Sequence, residues 1–105
     1  MVLPVQSVAA AEVLQVRSAT MLQVGDQNRS YSVALACLNV PADQAAAATD
    51  WLRHELPRRT RVNLRPQGND QGVLLARVER LDRRSDVAND LIAAGYGAWQ
   101  ESCLP

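Results

Sequence analysis

The stretch Tyr31 to Pro41, YSVALACLNVP, limits what this 105-residue chain can fold into more than any other. It is rich in strand formers and apolar on both faces. Tyr31, Val33, Leu35 and Cys37 point one way, and Ser32, Ala34, Ala36 and Leu38 the other. A strand of that pattern has to be covered on both sides, so it is expected in the middle of a sheet and not at an edge. Asn39-Val40-Pro41 closes it, because proline cannot donate to a ladder, and a helical period begins beyond.

The segments around it fall into a consistent order. Glu12 to Arg17 alternates, with Leu14 and Val16 on one face and Val13, Gln15 and Arg17 on the other, and reads as a first strand. Thr20 to Val24 reads as a second, with Leu22 and Val24 inward, followed by the turn chemistry of Gly25-Asp26-Gln27-Asn28. After Pro41, Ala45, Ala48, Leu52 and Leu56 recur at helical spacing. Asp43 suits the start of that helix, Arg53 and His54 its last turn, and Pro57 its end. His54 is expected on the surface at the helix end. A fourth strand is expected at Thr60 to Arg65, with Val62 and Leu64 inward, then a flexible loop over Pro66 to Gly72 and a fifth strand over Val73 to Leu81. Ser85 is a natural N-cap for a second helix that shows Val87, Leu91 and Ile92 and stops at Gly95. Trp99, in the tail, is expected to pack back on the body. Five short strands with a helix between the third and fourth make a mainly β, α+β fold: a five-stranded OB-type barrel with a second, C-terminal helix. Residues 1–10 read as a leader, 11–100 as the domain and 101–105 as a tail.

Composition narrows the function. One hundred and five residues make one domain, burying roughly 65% of the unfolded surface. Eleven cations, all arginine, balance eleven acids, so no global field points to nucleic acid or membrane. Nothing approaches the run of about 20 apolar residues that a spanning helix needs. The N-terminus lacks the features of a signal peptide, which implies a cytoplasmic protein. Two cysteines, one in the central strand and one in the tail, read as a buried small residue and an incidental thiol, not as a bridge. With one histidine and no CxxC, no zinc site and no cofactor is expected.

Taken together, VLQVRSATMLQV, the strand YSVALACLNVP, the alanine-rich helix, NDQGVLLARV and the closing DVANDLIAAGYGAW resemble the staphylococcal nuclease (thermonuclease-like) family, over about Ala11 to Gln100. That resemblance implies the same barrel and a calcium-dependent phosphodiesterase site. In active members the first turn reads Asp-Gly-Asp-Thr, the third strand carries an arginine and then Asp-Thr-Pro-Glu, and Tyr-Gly-Arg precedes the fifth strand. Here the matching positions are Thr20 in Arg17-Ser18-Ala19-Thr20, Ala34, Asn39 and Ala42 in Asn39-Val40-Pro41-Ala42, and Val73 after Gln71-Gly72. Each charged side chain of the resembled site is missing. Calcium takes about six to eight hard oxygen ligands, and a neutral amide and a hydroxyl do not hold it. Removal of a single charge-stabilising group typically costs ~10²–10³ in rate. The chain is therefore expected to have no catalytic residues and no metal.

What remains is arginine placement. Nine of the eleven arginines lie between residues 53 and 84, against four acids. Arg61 and Arg65 face outward on the fourth strand and Arg77 lies on the fifth. Arg53, Arg58 and Arg59 cluster at the corner between helix and strand, and Arg80, Arg83 and Arg84 follow. Such a face suits single-stranded nucleic acid on an OB surface, but no aromatic platform for base stacking accompanies it. The leading expectation is a non-catalytic nuclease-like domain that binds a protein partner or scaffolds a complex, with arginines Arg53, Arg58, Arg59, Arg61, Arg65 and Arg77 as its contact set. Weak single-stranded nucleic-acid binding through the same face is the alternative, and a calcium-dependent nuclease the remote one.

Overall fold

The computed structural model describes residues 11–103. The leader expected over residues 1–10 and the last two residues lie outside them. Strands β1 (Ala11–Val16), β2 (Met21–Asp26) and β3 (Arg29–Leu35) form an antiparallel meander. A two-residue strand β4 (Leu38–Asn39) and a 3-10 turn (Ala42–Gln44) lead into helix α1 (Ala45–Glu55). Strands β5 (Arg61–Asp70) and β6 (Val73–Arg80) make a long hairpin. Short strand β7 (Ser85–Asp86), helix α2 (Val87–Ala93), strand β8 (Ala98–Trp99) and a 3-10 turn (Glu101–Cys103) complete the described chain.

The sheet order is β3-β2-β1-β5-β6, and β3 also pairs with β6 in parallel, Val33 opposite Leu74 and Leu35 opposite Ala76. Five strands thus close into a mixed OB-type barrel, the architecture anticipated from the strand and helix order. The strand centred on Val33 has a neighbour on each side, but only one of its faces is buried: Val33 and Leu35 point into the core, while Ser32 and Ala34 on the outer face are half-exposed. Inside lie Val13, Val16, Leu22, Val24, Val33, Leu35, Val62, Ala76 and Val78. Ala48 and Leu52 of α1 and Val87 and Leu91 of α2 add to the same core. Leu22, Leu52 and Leu91 have no exposed surface, and each such side chain contributes about 1.5–3 kcal/mol relative to exposure.

The structure corrects several local expectations. In β1 the buried residues are Ala11, Val13 and Val16, and Leu14 is not among them, because a bulge between Val13 and Gln15 adds one residue and switches the pleat. The third strand stops at Leu35. Ala36 and Cys37 form a turn, with Cys37 in the left-handed region at φ 66°, and Leu38–Asn39 restarts as β4 to pair with β8. A residue with a β-carbon held there costs roughly 1–2 kcal/mol. Pro66 to Asp70 is not a loop but the outer half of β5, laddered against Val73–Ala76 across a bulge between Pro66 and Gly68. Only Gln71 and Gly72 turn the chain. The N-cap of α2 is Asp86, whose Oδ1 accepts the Asn89 N–H at 2.9 Å, whereas Ser85 sits in β7 and donates to Asp90.

The largest correction concerns the cysteines. Cys37 and Cys103 form a disulfide with their Cα atoms 5.8 Å apart, joining positions 66 residues apart in sequence. The tail is therefore tied to the barrel. Trp99 packs back as expected, half-buried against the core with the Arg77 guanidinium 4.9 Å from its ring centre.

Candidate functional site

Two of the five positions matched to the nuclease site come together. Thr20, leaving the β1–β2 connection, and Ala34, on the outer face of β3, line a cleft of about 430 Å³. Leu35, Ala36 and Leu38 continue its floor, and Leu75 and Gln67 enter from the β5–β6 hairpin. Gln100 and the Cys37–Cys103 bridge form the remaining wall. Asn39 lies outside the cleft in the β4–β8 ladder, Ala42 opens the 3-10 turn, and Val73 pairs with Asp70 at the end of the hairpin. The outer face of β2 and β3, where OB folds bind extended ligands, carries Gln23 and Ser32 bonded to each other at 3.2 Å.

No acid and no cation among the described residues lines this cleft. Among the described residues, no three His, Cys, Asp or Glu side chains meet where an ion would sit. The donor set of one hydroxyl, two amides and a disulfide does not fit calcium, which prefers carboxylates. What the cleft offers is shape, apolar contact and amide hydrogen bonding.

The arginines proposed as a contact set are dispersed and mostly engaged within the fold. Arg53 donates through Nε and Nη2 to the Val16 carbonyl at 3.4 and 3.3 Å, and Arg58 to the Leu14 carbonyl at 3.3 Å. Both tie the helical corner to bulged β1. Arg77 and Arg65 stand directly opposite each other on the β5–β6 ladder. Each has an acid: Arg77 Nε meets Asp86 Oδ2 at 2.7 Å, and Arg65 meets Glu79 at 3.7 Å. These four line a second hollow of about 330 Å³ with Gln67, where two positive and two negative charges cancel. Arg59, at φ 78°, and Arg61 are exposed and take part in no ion pair among the described residues.

Arg80 differs from the rest. It follows Ala76 and Val78 on the inward face of β6 and is 4% exposed. Its guanidinium donates to Glu55 at 3.0 Å, at the end of α1, and to Asp82 at 3.3 Å, and Arg83 adds a second cation 3.7 Å from Glu55. Burial works against its charge, but the bonds from Glu55 and Asp82 outweigh that and hold it above the ordinary arginine range. The Arg80 hydrogen bond, opposed by partial burial and helped by His54 and Arg83, holds Glu55 below the ordinary carboxylate range. Sequence reading placed Arg80 in the basic face. The alternation Ala76, Val78, Arg80 was the signal that it points inward.

A scan against protein-family models finds no match for this chain, and a search of the curated proteins finds none either. Fold and site geometry therefore define its class: an OB-type barrel with an uncharged cleft and a C-terminal segment bridged to the barrel.

Proposed function

We propose that this chain is a non-catalytic OB-fold module of the staphylococcal-nuclease type that docks a protein partner. The observation that carries the reading is the cleft at Thr20 and Ala34, in which no described residue contributes a charged side chain. Nucleic acid is held chiefly through its phosphates, and phosphoryl chemistry needs cations or metal at the developing charge. A peptide segment needs neither, and can use apolar contact with Leu35 and Leu75 and hydrogen bonds from Gln67 and Gln100. The internal pairing of Arg53, Arg58, Arg65 and Arg77 supports the same choice.

Among the described residues no helix is long and apolar enough to cross a membrane. A persistent disulfide belongs to an oxidising compartment, so a cytoplasmic site of action goes with a bridge that forms transiently.

Labelled single-stranded DNA and RNA titrated with the chain over a salt series test the reading, together with heat-denatured DNA incubated with excess calcium. The expected result is no salt-dependent binding and no chelator-sensitive cleavage. Affinity that falls with salt and is lost in Arg59→Ala/Arg61→Ala would replace it with weak nucleic-acid binding through those two exposed arginines. Cleavage would restore the nuclease.

A further inference from the structure

We propose that the Cys37–Cys103 disulfide is a redox-operated clasp on the uncharged cleft, and that its reduction frees Ala98–Cys103 while the barrel stays folded. The inference rests on the cleft being the working site, and adds how access to it is controlled. Both half-cystines line the cleft, so the bridge is part of its wall. Cys103 is exposed and Cys37 half-buried, which lets a thiolate reach the sulfurs without unfolding the core. Exposed bridges are the ones that exchange.

Besides the bridge, few contacts hold the segment. It pairs with β4 only at Leu38–Trp99 and Asn39–Ala98, Gln100 donates its N–H to the Cys37 carbonyl at 2.8 Å and its Nε2 to the Leu38 carbonyl at 3.4 Å, and Trp99 packs half-buried on the core beneath the Arg77 guanidinium. An isolated two-stranded ladder of that length is marginal. The near end is different. Gly97 donates to Gln44 Oε1 at 2.7 Å, and Gly95 and Gly97 sit at φ 103° and 74°. Movement is thereby confined to the chain beyond Gly97. At the other end, Cys37 occupies a left-handed conformation disfavoured for any residue with a β-carbon, and opening the bridge removes the covalent tie that keeps it there.

The step balances with a dithiol as reductant. One of its thiolates attacks a sulfur of the bridge, forming a mixed disulfide and expelling the other cysteine as thiolate. The second thiol of the reductant then closes its own disulfide and releases the remaining cysteine. Two electrons and two protons pass to Cys37 and Cys103.

Amide hydrogen exchange by NMR on the full chain, oxidised, reduced with excess dithiothreitol, and as Cys103→Ser, tests the proposal without any ligand. The Gln100 N–H is expected to exchange about tenfold or more faster in the reduced and variant chains. The Leu35 N–H, which donates to the Thr20 carbonyl at 2.9 Å inside the barrel, is expected to keep its protection. Unchanged Gln100 exchange overturns the clasp, and so does equal loss at Gln100 and Leu35, which would make the bridge a global staple. Because no partner enters the measurement, its failure is separable from failure of the partner-docking reading.

Discussion

At the scale of single residues, Arg80 and Glu55 carry the strongest electrostatic consequence in the molecule. Breaking a buried ion pair typically costs about 3–5 kcal/mol, and without Glu55 the Arg80 guanidinium still keeps its bond to Asp82. Glu55 is half-buried, so its share lies toward the lower end of that range or below it. Its carboxyl is held below the ordinary value of 4.5, chiefly by the Arg80 bond. A depressed carboxylate contributes stability that is fully present above 4.5 and is lost as the pH falls through the folded-state value. Glu55→Gln is therefore expected to be less stable than the parent at pH 7, with the gap closing as the pH drops below 4.5. Urea unfolding at a series of pH values checks this, and a gap that stays constant with pH would show that the pair contributes no charge-dependent stability. The inward position of Arg80 was legible in principle, since strand parity continues from Ala76 and Val78. Its principal partner was not, because Glu55 lies 25 residues away on another element.

At the scale of elements, the small β4–β8 sheet depends on one close backbone approach. A β-carbon on Gly97 would stand 2.8 Å from the Asn39 carbonyl oxygen, at φ 74°. Gly72, in the β5–β6 turn at φ 88°, has open space around it. Both substitutions to alanine pay for the left-handed backbone, but only Gly97→Ala also collides. Gly97→Ala is expected to cost more than about 1 kcal/mol and to exceed Gly72→Ala clearly, as measured by denaturant midpoints. Equal losses would mean that the approach to Asn39 is not restrictive. Element type was largely readable here. Both main helices and the barrel strands follow from apolar period and from Pro41, Pro57 and Gly95. The exceptions share a cause. Bulges at Val13–Gln15 and Pro66–Gly68, and the break at Ala36–Cys37, are placed by barrel curvature and not by local preference.

At the scale of the whole molecule, the disulfide closes a loop across most of the barrel. For a separation of 66 residues the chain-entropy model gives an upper bound of about 4 kcal/mol. If reduction also frees Ala98–Cys103 in the folded chain, part of that entropy is recovered there, and the measured loss falls below the bound. Cys103→Ser is accordingly expected to lower the unfolding temperature while leaving a cooperative transition. Calorimetry with and without dithiothreitol checks it: equal melting of oxidised and reduced parent would show that the bridge does not constrain the unfolded chain.

The amino-acid sequence by itself determined the class of fold. Strand and helix periods, turn residues and prolines are local quantities, and their order admits few closed arrangements other than the OB-type barrel. It also supplied the uncharged side chains Thr20 and Ala34, which lie on the cleft wall. Tertiary structure alone decided three things: which arginines are exposed, that Glu55 closes on Arg80, and that Cys37 meets Cys103. Each depends on residues far apart in sequence being brought within a few ångströms. That proximity is set by closure of the whole barrel, which no local pattern encodes.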